Sequence, residues 1–359
     1  MKKGLPNLLL IVSLLFAHLF LFPKPVSPRL GIKPLFFTEA SRERRSELTG
    51  DGTYTGAGFV YPFVSETKSG FFLRDGRILS SLPKDEVLTI SSLGYVARLG
   101  EGADKAQGFF DPNQVLRGLL PSEGLPYLTD HGLYHFSPDR RRVKEFASDG
   151  AELWSHGFNT IVSVFADSDE YRLLGTAQGE GLLFDKDGAV LHRFEPPSEG
   201  IKAIYGLAID ESERRIAILH GVTPQKLSLY EKGNKNWHIS SEWELPGHLF
   251  RETALAFHHG GKVLRIERNA YLLTIDILSR NMTRCDIPGF YLGGGTLPSL
   301  SISYGVNESE KEAVMLLDEY GEILFSLDMK EKPWFFNQDG KTIFIAFDQV
   351  IGGMEIERY

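Results

Sequence analysis

Cysteine is all but missing from this chain: Cys285 is the only one in 359 residues. A lone thiol excludes an intramolecular disulfide framework and leaves the redox compartment open. A basic excess is missing as well. Lys and Arg number 39 against 47 Asp and Glu, for a net charge of −8, which is not the footprint of a nucleic-acid-binding domain. No Gly-rich turn is followed by the Lys and Ser or Thr of a phosphate cradle, and no serine stands in Gly-x-Ser-x-Gly. Past residue 50 there is no sustained apolar stripe of helical period; runs such as TIVSVFA, IYGLAI, RRIAILH and TIFIAF are too short for one. What is present is 37 glycines and 12% aromatics, the composition of a turn-rich all-β chain.

The organising stretch is Tyr171–Gly200, YRLLGTAQGEGLLFDKDGAVLHRFEPPSEG. It reads as three short strands in a meander. The turn at Asp187-Gly188 is a strong hairpin signal, because Gly takes the positive φ the turn needs. A three-strand meander cannot bury both faces alone and needs neighbours like itself. Strand-like runs stopped by proline recur at Pro83, Pro121, Pro196, Pro246, Pro288 and Pro333. The intervals are 38, 75, 50, 42 and 45 residues, and the long one is two units. Pro121-Ser-Glu-Gly124 is echoed by Pro197-Ser-Glu-Gly200. Asp-Gly or Gly turns at 75–76, 149–150, 187–188 and 320–321 precede the last strand of a unit. Polar tips at 167–170, 210–213, 258–261 and 337–340 join the first two.

A period of about 40–50 residues with four strands per unit is that of β-propeller blades. The spacing places blades at 87–121, 124–158, 159–197, 200–246, 251–288 and 294–330. The expected fold is an all-β, seven-bladed propeller over 51–359, with 53–83 and 332–359 joined in one closing blade. Eight blades is the alternative, should 53–83 form a blade of its own. Closure removes the sheet edges that invite aggregation.

The first 50 residues follow other rules. Lys2 and Lys3 precede Leu8–Phe22, in which twelve residues are Leu, Ile, Val or Phe. On the insertion scale that run favours the bilayer by about 4–7 kcal/mol. Residues 1–22 therefore read as a signal anchor preceding the propeller as an N-terminal hydrophobic helix; a cleaved signal peptide, with secretion, is the alternative. Residues 23–50, Pro-rich and then charged, read as a tether. The short basic N-terminus implies an exported propeller, in the bacterial periplasm or cell envelope.

Gly181-Leu-Leu-Phe-Asp-Lys-Asp-Gly-Ala-Val-Leu-His-Arg-Phe194 and Ala151-Glu-Leu-Trp154 resemble the WD-repeat-like and quinoprotein-like propellers, a likeness that extends over 53–359. The Trp-Asp ending of WD repeats is absent, since Trp154, Trp237, Trp243 and Trp334 precede Ser, His, Glu and Phe. The adjacent cysteines and regular tryptophan docking motif of quinoprotein dehydrogenases are absent too. The resemblance thus implies a shape rather than a chemistry.

No catalytic or metal constellation emerges, and no cofactor is expected. His258-His259 reads as a turn, Asp185 and Asp187 as turn formers, Gly293–Gly295 as an inter-blade loop and Asp139–Arg142 as a solvated hairpin tip. Function on such a scaffold resides in loops gathered on one face. The spacing assigns to them Trp154, His156, Tyr205, His220, Phe250, Arg251, Arg268, Asn269, Phe290 and Tyr291, residue types that anchor binding surfaces. The expected function is a membrane-tethered scaffold for a protein or peptide partner, with no nucleic acid. A quinone-dependent oxidoreductase or hydrolase using the central funnel, and a small-ligand sensor, are the alternatives.

Overall fold

The computed structural model describes residues 30–40, 60–100, 106–197, 200–234, 236–268, 271–286, 291–297, 300–306, 312–317, 323–329, 333–339, 341–347 and 350–358. Among them every regular element is a β-strand except one 3-10 turn at Lys84–Glu86. No helix among the described residues is long and apolar enough to cross a membrane. Leu8–Phe22, the expected anchor, lies outside them.

Seven sheets have four antiparallel strands and one has three. In chain order they span 60–83 (the three-stranded sheet), 87–120, 125–157, 162–194, 204–244, 255–285, 291–329 and 333–358. The seven four-stranded sheets equal the expected number of blades. The three-stranded sheet stands where the eight-blade alternative put it. The first strand of each sheet lies innermost, so that Ile204–Ile209 packs between Val162–Asp167 and Leu255–His258. Expected hairpin tips at 167–170, 210–213 and 258–261 do join first and second strands. The Asp-Gly turns at 75–76, 149–150 and 187–188 do precede the outer ones. Gly293–Gly295 differs, lying within the strand Tyr291–Leu297 rather than in a loop.

The ring closes with a segment the sequence reading assigned to the tether. Residues 60–83 do not join 333–358 in a sheet; Leu30–Glu39 does, pairing along Val350–Arg358 as the outermost strand. Pro34 made this stretch look like a linker. The structure absorbs it with a break of register between Pro34 and Phe36, since proline has no N–H for the ladder. The two ends still meet. Phe344, fully buried, has its ring centroid 4.6 Å from that of Tyr61 and 5.1 Å from that of Phe72. Phe36 lies 6.2 Å from Phe344 and 6.4 Å from Phe72, so the three rings form one cluster.

Neighbouring sheets lock through the outer turns. Gly188, at φ +80°, leaves no room for a Cβ against the Trp154 ring of the preceding sheet, and Gly76, at φ +85°, leaves none against Phe36. Both turns need Gly twice, for the backbone and for the close approach.

The meander sends its turns alternately to two faces, and over 87–285 the faces differ. On one, each first turn is bonded to the next. Ser92 donates from Oγ to Asp130 at 2.7 Å, Thr129 Oγ1 to Asp167 at 2.5 Å and the Glu170 N–H to Glu213 at 3.0 Å. His131 Nδ1 lies 3.0 Å from Asp169, and Arg215 donates to the Gly261 carbonyl at 2.7 Å. The opposite face carries the connections between sheets. These are short at 84–86, 121–124 and 158–161 but long at 195–203 and 245–254, either side of sheet 204–244.

Candidate binding face

Two of the expected site residues belong to the wall rather than to a loop. Trp154 and His156 lie on Glu152–Gly157, the outermost strand of its sheet. The Trp154 ring is stacked on Phe184 of the next sheet at 5.4 Å and 12°. Its Nε1 donates to Glu145 at 2.8 Å. His156 packs edge-on against Phe158 and Phe184. Both therefore cement adjacent sheets.

Five others come together at the junction of sheets 204–244 and 255–285, on the long-loop face. Topology dictates the meeting: antiparallel pairing sets the starts of Ile204–Ile209 and Lys226–Lys232 beside the ends of Arg215–His220 and Trp237–Glu244. The bonds Gly221 N–H to Ala203 O (3.1 Å) and Leu245 N–H to Gln225 O (2.9 Å) mark that edge. Tyr205, half-buried, packs on the core beneath it. Beside it the buried Arg268 donates to Gln225 Oε1 at 2.7 Å and to the Pro246 carbonyl at 3.0 Å. Gln225 in turn donates to the Leu249 carbonyl at 3.0 Å, so that loop 245–254 is held from below at two points.

Above this anchor the loop presents His248, Phe250, Arg251 and Glu252. Phe250 is 62% exposed and touches only the His248 ring among described aromatics, at 4.5 Å. Arg251 pairs with Glu267 at 2.6 Å; the carboxylate is buried and the guanidinium half-exposed. An exposed ring and an oriented guanidinium on a pinned loop have the make-up of a binding hot spot. Gln225 and Glu267 escaped the sequence reading because a buried amide and a buried acid carry no local motif. Asn269 and Phe290 lie outside the described residues. Tyr291 opens the strand Tyr291–Leu297.

His220 is fully buried, with Nε2 2.8 Å from Ser228 Oγ. The Ser228 hydroxyl donates to Glu242 at 3.0 Å. A nucleophile–base pair needs access to substrate, and both residues are sealed, so this pair is structural. Burial, aided by Lys226, pushes the His220 imidazole down to about 4, below the ordinary value of about 6.5. Because the folded value is the lower one, protonation favours unfolding. The contribution is intact above pH about 6.5 and is lost as pH falls through about 4, costing on the order of 3 kcal/mol. Urea midpoints taken from pH 7 to pH 4 should fall, and His220→Gln should flatten that slope.

Among the described residues no three His, Cys, Asp or Glu side chains converge as a metal would require. Asp185 Oδ1 accepts the N–H groups of Asp187 and Ala189, which makes it a turn former.

The fold places the chain among known architectures. BamB from Moraxella catarrhalis superposes with a TM-score of 0.61 at 10% identity, covering 90% of this chain and 100% of that one. The computationally designed Ika8 protein gives 0.58 at 12% identity, over 84% and 97%. The dihydro-heme d1 dehydrogenase NirN, in complex with DHE, gives 0.52 at 12% identity, over 70% of this chain and 57% of NirN. At such identities the likeness is one of fold. A designed protein and an enzyme share it, so the fold selects no function. No curated protein matches the sequence. The model of the beta-propeller protein family matches residues 1–359, and the chain belongs to that family.

Proposed function

We infer that this protein is a binding scaffold, tethered to a membrane through Leu8–Phe22, which captures a protein or peptide partner with its long-loop face. The observation that carries the reading is Phe250: a large ring, 62% exposed, on a loop whose base is fixed by the buried Gln225–Arg268 network. Leaving such a ring in water gains the folded monomer nothing, whereas a rigid aromatic loses little entropy on docking. The basic N-terminus before the apolar run supports an exported propeller in the cell envelope. Asn269, Phe290 and Tyr291 stay in the proposed contact set on residue type alone.

The test is capture from native membranes by the full-length chain, with crosslinking and identification of the bound protein. Phe250→Ala with Arg251→Ala should weaken recovery of that protein by about 2 kcal/mol or more, thirtyfold in affinity. Unchanged recovery, with the melting temperature also unchanged, would remove this face from the function.

A further inference from the structure

On the same face as the Phe250 loop, but between sheets 162–194 and 204–244, lies a cavity of about 560 Å³. Its walls bring together Arg193, Lys202 and Lys226 with Glu180, Glu195, Pro196 and Pro197. Arg193 is taken by Glu180, with which it forms an ion pair. Lys202 and Lys226 make no ion pair with a carboxylate among the described residues. Lys202 is also fixed in place: the turn at Gly179 fits so tightly under its backbone that a Cβ there would collide with it. The third strand of sheet 204–244 starts at Lys226, next to the Gln225 that holds the Phe250 loop, so the cavity and the exposed ring share one edge.

With Arg193 paired to Glu180, the cavity keeps two cations, Lys202 and Lys226, against one carboxylate, Glu195. A segment carrying negative charge is drawn to that local excess.

We propose that the partner captured by this face presents an extended acidic segment, which lays carboxylates over Lys202 and Lys226 and an apolar side chain against Phe250. The inference rests on the binding role proposed above and adds the chemistry of the partner. Exposed ion pairs are individually weak, so Phe250 supplies most of the affinity and the two lysines supply selectivity and a salt-sensitive association rate.

The experiment uses the full-length protein in detergent and two short fluorescein-labelled peptides. One carries Glu residues flanking a Leu-Phe pair; its twin carries Lys in their place. Fluorescence anisotropy should show the Glu peptide binding about tenfold tighter, with the gap closing near 0.5 M salt, where the Debye length is only about 4 Å. Lys202→Glu with Lys226→Glu should abolish or reverse that preference without lowering the melting temperature. Phe250→Ala should weaken both peptides alike. Equal binding of the two peptides, or a preference that survives the lysine reversal, overturns the acidic-segment proposal while leaving the scaffold reading intact. Competition of the Glu peptide by millimolar inorganic phosphate also overturns it, by marking a small-anion site. Failure of the scaffold reading shows separately, as partner recovery indifferent to Phe250→Ala.

Discussion

Replacing Arg172 with methionine is expected to lower the unfolding free energy by about 3–5 kcal/mol. Arg172 reaches from sheet 162–194 to Glu145 of sheet 125–157, with Nη2 at 3.0 Å and Nε at 3.1 Å from its two oxygens. Nη1 donates to the Ser168 carbonyl at 2.6 Å, and the guanidinium also lies over the Tyr134 ring at 5.7 Å. Each side chain of the pair is only 5% exposed. Methionine therefore leaves a buried carboxylate with little beyond the Trp154 indole N–H to hold it. Adding Glu145→Leu should recover part of the loss, because it removes the stranded charge but leaves the Trp154 indole N–H without its acceptor. Chemical denaturation of the full-length protein measures both. A change below about 0.5 kcal/mol for Arg172→Met would mean that the pair contributes no more than an exposed one.

The second large effect is expected at the closure. Phe344→Ala should cost about 3–5 kcal/mol, since the ring is fully buried and contacts Tyr61, Phe72 and Phe36, which come from three different strands. Its consequence should be more than a lower midpoint. Tyr61 and Phe72 belong to the three-stranded sheet 60–83 and Phe344 to the last sheet, so loosening this contact opens the ring at one joint. Limited proteolysis should then cut first within the two sheets that meet there, 60–83 and 333–358, while the fragment 87–285 resists. Cleavage beginning instead within 87–285 would show that the joint is not the weak point of the variant.

The sequence showed its meanders clearly because their signals are local. An Asp-Gly turn, a polar tip and a terminating proline each act over a few residues, and six blade spans follow from them to within a few positions. Pairings over long distances left no such trace. Leu30–Glu39 finds its partner at the other end of the chain, and Pro34 disguised it as linker. Trp154 and His156 looked like loop anchors for a related reason. An exposed aromatic and one buried against the next sheet are identical in composition, and the partners that decide the matter, Phe184 and Gly188, sit in the next sheet. Phe250, Arg251 and Arg268 were legible as loop and strand-end positions because the gaps between strand-like runs are visible in one dimension. Their supports, Gln225 and Glu267, were not.

If Leu8–Phe22 anchors the protein as proposed, the strand Leu30–Glu39 also sets how far the propeller can move from the membrane. Only residues 23–29 separate it from the apolar run that ends at Phe22. Fully stretched, at about 3.3–3.6 Å per residue, they reach about 25 Å, roughly the thickness of one small domain. Under the anchoring proposed above, a leash of that reach would hold the molecule by its outermost strand, at the rim. Both flat sides would then stay within reach of neighbours in the same membrane layer.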